Sequence, residues 1–362
     1  MKNKIITILF ILFFLVSTFS GCIDLFQLDG STTYESHPTS VRYTISYGYK
    51  INCTGSGRYN LFYNCDLPEV LFGGITNIII QNENYSNDII ATWNSIKSWN
   101  ITSNLNKEYN LGVSATVKTD SFFTSDLNGK NALSIDEIKN KYPSICSQFT
   151  KAQSNDTTVF IDPKDTEISD ISYQVFSKAG NNNSFLVAKE LFKWLKENTD
   201  YNTHFGSDNV QTASYTLQCR TGDCDDLSFL YISLCRSLKI PARFIRGFLV
   251  EENNAIPHAW AEVFVGGNLG DNGWIPVECA GISNSIDSEI HQNFGIEDVG
   301  HLRVFKDDGS NESLNISLTG VRYKMYSKTR KINANSYSEI SDYQVLRKQK
   351  LVIDGNKKRA YE

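Results

Sequence analysis

The chain has 362 residues, of which 41% are hydrophobic, 12% aromatic and 21% charged, an ordinary globular balance that excludes a mostly disordered or coiled-coil protein. Its net charge of −5 gives no reason to expect nucleic acid as a partner. The charge is uneven, because Arg322 to Glu362 carry eleven Lys and Arg against four Asp and Glu, a local +7 in an otherwise acidic chain. At this length two domains plus tails are expected.

In chain order, residues 1–21 read as a secretory signal peptide. Lys2 and Lys4 precede an almost unbroken apolar run from Ile5 to Phe19, and Ser20-Gly21-Cys22 follows at once. The run falls short of the roughly 20 apolar residues that span a bilayer core, which favours a cleaved signal with lipid attached at Cys22. An uncleaved anchor and plain cleavage are the alternatives. The expected location is the cell membrane, on its extracytoplasmic face, with the chain held there through an N-terminal lipid or anchor. Residues 22–40 are polar and turn-rich and read as a tether.

Residues 41–165 read as a β-rich N-terminal domain. Val41 to Tyr47 alternates with a period of two, and β-branched or aromatic stretches recur at Tyr59–Tyr63, Asn77–Ile80 and Leu111–Lys118. A short helix is expected at Ser134–Lys141. Ile161 to Asn183 is polar and reads as a connector. Residues 180–300 then carry a second pattern: a helix over Ser184–Asn198 with Ser184 as N-cap, a helix over Asp223–Leu238, and strands at Ala242–Val250, His258–Val265 and Trp274–Cys279. Helix, helix, strand, strand, strand is an α+β skeleton. Residues 301–331 add strands at His301–Phe305 and Leu314–Met325, and 332–362 form a basic tail expected to be loosely held.

Without Cys22, seven cysteines remain, so at least one thiol stays free; Cys53 with Cys65 would close a short loop. The tight C-x-x-C pairs typical of zinc sites do not occur, so neither a metal nor a cofactor is expected. The chemistry instead gathers around Gly222-Asp223-Cys224-Asp225-Asp226, a cysteine at the mouth of a helix after a glycine turn. Partial positive charge and unpaired N–H groups at a helix start stabilise a thiolate and can bind an oxyanion. His258 opens a later strand and Glu278 lies on the next, across a glycine-rich turn, so in antiparallel neighbours the two side chains can meet. A nucleophile needs a base in reach, and the base needs an orienting acceptor.

These blocks resemble the transglutaminase-like superfamily, the branch of papain-type cysteine enzymes with a Cys-His-acid triad, in its exported archaeal or bacterial type. The resembling residues are Thr221-Gly222-Asp223-Cys224-Asp225-Asp226-Leu227, Ile240-Pro241-Ala242-Arg243-Phe244-Ile245-Arg246-Gly247-Phe248, His258-Ala259-Trp260-Ala261-Glu262-Val263 and Gly273-Trp274-Ile275-Pro276-Val277-Glu278. The resemblance implies an α+β fold with a papain-like transglutaminase core behind the β-rich domain, and a catalytic triad of Cys224, His258 and Glu278, where the third member is usually Asp. Trp260, on the His258 side of its strand, reads equally as core packing or as a substrate contact, and Gln218, six residues before Cys224, where papain-like proteases place an oxyanion donor, is the second substrate-binding candidate. Asp225 and Asp226 read as helix-capping acids, Arg243 and Arg246 as surface groups, and Glu262 as the acid to consider should Glu278 fail. The expected function is an exported thiol enzyme acting on amide bonds of a protein or peptide substrate through an acyl-enzyme, as peptidase, amidase or transglutaminase. Its Cys224 thiol should titrate below the ordinary value of about 8.5. The alternatives are a non-catalytic, membrane-tethered binding or scaffold protein with a vestigial domain, and an adhesion protein that works through its β-rich region.

Overall fold

The period-two stretch at Val41–Tyr47 lies within a long strand, β1 (Ser36–Thr54), whose Val41, Tyr43, Ile45 and Tyr47 point inward and are buried. The structure is a computed structural model that describes residues 36–82, 86–91, 94–124, 127–203, 210–283, 285–354 and 357–361. The expected signal peptide and Cys22 lie outside the described residues. The strands that follow are β2 (Tyr59–Asp66), β3 (Gly73–Gln81), β4 (Ser86–Ala91), β5 (Asn94–Ser103) and β6 (Lys107–Asp120). Later in the chain come β7 (Ala242–Glu251), β8 (Asn254–Phe264), β9 (Trp274–Val277), β10 (His301–Lys306), β11 (Arg322–Met325), β12 (Lys331–Asp354) and β13 (Lys357–Tyr361).

Two sheets, ordered β13-β12-β1-β6-β3 and β11-β2-β5-β4, meet through aromatic side chains. Tyr49 packs edge-on against Tyr63 at 5.0 Å, Tyr63 stacks on Trp99 at 5.6 Å, and the Tyr47 hydroxyl donates to the Asp66 carbonyl. The basic tail is not loose. Its residues up to Asp354 form β12, which pairs antiparallel with β1 from Thr54↔Lys331 to Ser36↔Lys350. Ile332, Ala334, Ile340 and Tyr343 pack against the core, while Lys50–Glu339 and Arg42–Gln344 pairs lie outside. Few residues of β12 are apolar, so its composition hides a strand that is held by backbone pairing. The β-rich region is thus closed by residues from both ends of the described chain, and the expected tether already turns into β1 at Ser36.

The expected connector is a helix, α3 (Thr166–Ala179), capped by the Asp165 carboxylate on the N–H groups of Glu167 and Ile168 and ended by Gly180 at φ 65°. Its Ile168, Ile171, Val175 and Phe176 meet the core at helical spacing amid polar neighbours, which the composition alone obscures. Before it stand α1 (Ile135–Lys141), closed by a Ser134–Glu137 capping box, and α2 (Pro143–Phe149). After it come α4 (Ser184–Asn198), capped by Asn183 and not by Ser184, then α5 (Ala213–Cys219), α6 (Cys224–Ser237), α7 (Ile286–Asn293) and α8 (Asn311–Ser317). The expected strand at Leu314–Met325 is in fact α8 followed by β11, because the Ser310 hydroxyl caps a helix there and Leu314 is buried from it.

The site rests on an antiparallel sheet ordered β9-β8-β7-β10. Helix α6 packs on β8 and is buried along nearly its whole length, and Tyr231 reaches from it to the Ala188 carbonyl of α4. Polar ties join this sheet to the β-rich part, among them Arg246 to Asp66 at 2.7 Å and Lys306 to Glu69 at 2.8 Å. All seven described cysteines are free. Cys53 and Cys65 do not pair, since they belong to different sheets and each is buried beside its own tyrosine, Tyr59 and Tyr63. Among the described residues no helix is long and apolar enough to cross a membrane.

Candidate active site

The cysteine is placed by its turn. A Cβ on Gly222 would lie 2.7 Å from the Asp226 Cβ, so only glycine lets the chain turn here and start α6 at Cys224. Asp226 closes the turn as expected of a capping acid: its carboxylate accepts from the Asp223 N–H at 3.1 Å and from the Gln211 N–H at 2.7 Å. The helix start abuts β8, where the Ala259 N–H donates toward the Cys224 sulfur. His258 is the preceding residue of the same strand.

Strand β9 pairs with β8 through Ala261↔Val277, and Glu278 follows directly. Its Oε2 lies 2.7 Å from His258 Nε2, so the histidine and the acid expected from the sequence meet in a buried contact. Glu278 Oε1 accepts from the Ala280 N–H at 2.6 Å. Oε2 has a second partner absent from the sequence reading, His301 Nε2 at 3.0 Å, and His301 Nδ1 lies 2.7 Å from Asp298 Oδ1. His301 arrives on β10, which β7 approaches so closely that a Cβ on Gly247 would sit 1.8 Å from the Leu302 carbonyl oxygen. Tyr201 borders the site from the other side: burial and the charges of Cys224, Asp223 and Glu278 push its phenol up to about 12. Neither Tyr201 nor His301 stands in a local motif, and both are delivered by strand pairing.

Trp260 stacks beside His258 at 6.0 Å and meets His301 edge-on at 5.0 Å. It is only 1% exposed and its indole N–H donates to Glu297, so its place is as packing behind the histidines and not as a substrate contact. Gln218 lies on the exposed side of α5, opposite the buried Thr216 and Leu217, so it does not share the enclosed setting of Cys224. Arg243 is no surface group. It is buried, bonded to Glu262 and stacked 4.0 Å over Trp274. Glu262 also holds Arg303 at 2.6 Å, and Arg303 grips Glu297, closing a buried network that occupies Glu262 fully.

Electrostatics divide the site. Burial opposes ionisation of Glu278, but His258 and His301 outweigh it and hold the carboxyl well below the usual range. For Cys224 the expected lowering is reversed: burial, then the charges of Asp225 and Asp223, push the thiol up despite the Ala259 N–H. Burial and a hydrogen bond shared with Asp223 likewise push Asp225 up. Helix-start stabilisation of a thiolate is therefore overridden locally, and a thiolate here requires a protonated partner. Two groups have metal-ligand composition, His258-Glu278-His301 and Asp223-Cys224-Asp225, each with its donor atoms within 4.8 Å. The hydrogen bonds between Glu278 and both histidines already account for the first.

The comparisons agree with this architecture. Residues 172–279 match the model of the transglutaminase-like superfamily. A solved structure from Cytophaga hutchinsonii, provisionally designated a cysteine protease, is similar with a TM-score of 0.52 at 18% identity, over 91% of this chain and 99% of its own. The periplasmic domain of TgpA from Pseudomonas aeruginosa is similar with a TM-score of 0.34 at 10% identity, over 64% of this chain and 86% of its own. No curated protein matches the chain. The glycine turn, the helix start, the three-strand register and the family match coincide on one stretch, so residues 172–279 of this α+β chain are similar to the transglutaminase-like superfamily in sequence pattern and in fold.

Proposed function

We propose that the domain is a thiol enzyme that acts on amide bonds through an acyl-enzyme, with Cys224 as nucleophile, His258 as acid and base, and Glu278 as the orienting acid. The observation that carries the reading is the 2.7 Å bond between His258 Nε2 and Glu278 Oε2 on β8, the strand against which the helix start carrying Cys224 packs. With Nε2 engaged, Nδ1 is the nitrogen left to take the cysteine proton. The thiolate attacks the carbonyl carbon, and the backbone N–H of Cys224, unpaired within a helix start, donates to the developing oxyanion. His258 passes its proton to the leaving amine as the C–N bond breaks, which leaves a thioester. Water, deprotonated by His258, then attacks the thioester and releases a carboxylic acid and the free thiol; an amine in its place gives transamidation. We favour hydrolysis, because water meets a thioester far more often. A protein or peptide supplies the amide. Export, a lipid on Cys22 and an extracytoplasmic membrane location belong to the same proposal, motivated by the apolar run that meets Gly21-Cys22.

Iodoacetamide alkylation of the full chain, mapped to individual cysteines between pH 5 and 10, tests the chemistry. Cys224 should react well below the pH at which its raised thiol would ionise alone, and His258→Ala should slow it at neutral pH by about a hundredfold. Equal rates in the parent and in His258→Ala would end the thiol-enzyme reading.

A further inference from the structure

Glu278 serves two imidazoles at once. His301 Nε2 and His258 Nε2 both address its Oε2, at 3.0 and 2.7 Å, and Oε1 takes the Ala280 N–H. On its far side His301 faces a second carboxylate, Asp298, at 2.7 Å. A neutral imidazole has one N–H and one lone pair, so in this position its lone pair would point at a carboxylate oxygen. The arrangement is favourable only when both ring nitrogens carry protons. His301 is therefore a cation clamped between two acids, its ring centroid 5.8 Å from that of His258.

We infer that His301, fixed by Asp298, is a positioning residue that holds Glu278 in line with His258 and divides its negative charge, so that His258 can release its proton as well as take it. The inference rests on the proposed role of His258. An acid that served His258 alone would hold the imidazolium tightly, whereas the efficient proton carrier is one poised near the working pH. A fixed positive charge one ring away supplies that restraint. Burial opposes the charge on His301, but Asp298 and Glu278 together outweigh it and raise its proton affinity well above that of ordinary histidine. The titratable groups that face His301 are Asp298, Glu278 and His258, with Cys224 and Tyr201 beyond Glu278 and Tyr343 beyond Asp298. This arrangement also bears on the longer acid: the carboxylate of Glu278 lies where it can accept from both β8 and β10, two strands that flank β7.

The test uses His301→Gln, which keeps an N–H donor for Glu278 but removes the charge, and Asp298→Asn, which neutralises a side chain that is 62% exposed. Nitrogen-15 NMR of the imidazoles in a full chain carrying Cys224→Ala should show His301 protonated at both nitrogens at pH 7. In the same background His301→Gln should raise the titration midpoint of His258 by about one pH unit, and Asp298→Asn by less. A His258 midpoint that stays put or falls in both variants, or a His301 with a single proton at pH 7, overturns the inference. Because the NMR readout needs no reactive thiol, it decides the role of His301 even if alkylation shows Cys224 to be inert.

Discussion

Two charged clusters share one face of the β9-β8-β7-β10 sheet, and they are built on opposite principles. In the network of Arg243, Glu262, Arg303 and Glu297, two cations meet two anions, all buried, and the charges close among themselves. Around Glu278 they do not. Asp298 and Glu278 are two anions, His301 supplies one cation, and the account balances only when His258 holds a further proton. In the proposed reaction Cys224 gives that proton, since its own surroundings discourage a lone thiolate. A closed network resists change; an open one has a place for a mobile proton. Trp260 joins the two, donating to Glu297 of the first while packing against both histidines of the second.

The sharpest way to break the contrast is to unbalance the closed cluster. Arg303→Met would leave Glu262 and Glu297 buried with one cation between them, and urea unfolding should register a loss of about 3–5 kcal/mol. A loss below about 1 kcal/mol would mean that the network is not closed as described. In the open cluster the same kind of change should act on reactivity and leave stability largely in place. Glu278→Gln should slow Cys224 alkylation at neutral pH roughly tenfold to a hundredfold, since a neutral amide supports an imidazolium poorly. Glu278→Asp should cost about tenfold: the shorter side chain cannot keep Ala280, His258 and His301 together, and a 1 Å displacement is expensive. Parent-like alkylation in Glu278→Asp would show that the reach of Glu278 is not needed.

Acid gives the mildest comparison. In the folded chain burial raises the Glu262 carboxyl, but Arg243 and Arg303 overcome it and bring it down to about 2, below its unfolded value near 4.5. A depressed carboxyl contributes stability above the unfolded value, and that contribution is lost as pH falls from about 4.5 toward 2. The urea midpoint of the parent should fall through this window, and that of Glu262→Gln should start lower and fall less steeply. Parallel slopes would place the acid sensitivity elsewhere.

What the amino-acid order determined alone is whatever a short stretch can encode. Gly222 before Cys224, the apolar spacing of α4 and α6, the alternation of β1 and the apolar runs of β7 and β8 are local instructions, and from them the candidate residues Cys224, His258 and Glu278 and the α+β class were legible. The helix α3 and the strand β12 escaped because their polar residues outnumber the few apolar ones that face the core. Only the tertiary structure decided which charges meet. Arg243 reads as a surface residue until β8 sets Glu262 opposite it, and Trp260 as either packing or a substrate contact until Glu297 takes its N–H. His301, twenty-three residues after Glu278, reaches it only because β10 joins the sheet beside β7, with the chain closing in where Gly247 has no side chain. Propensity and periodicity act over a few residues, whereas a buried charge finds its partner through the register of strands far apart in the chain, and here that register set the environment of the proton.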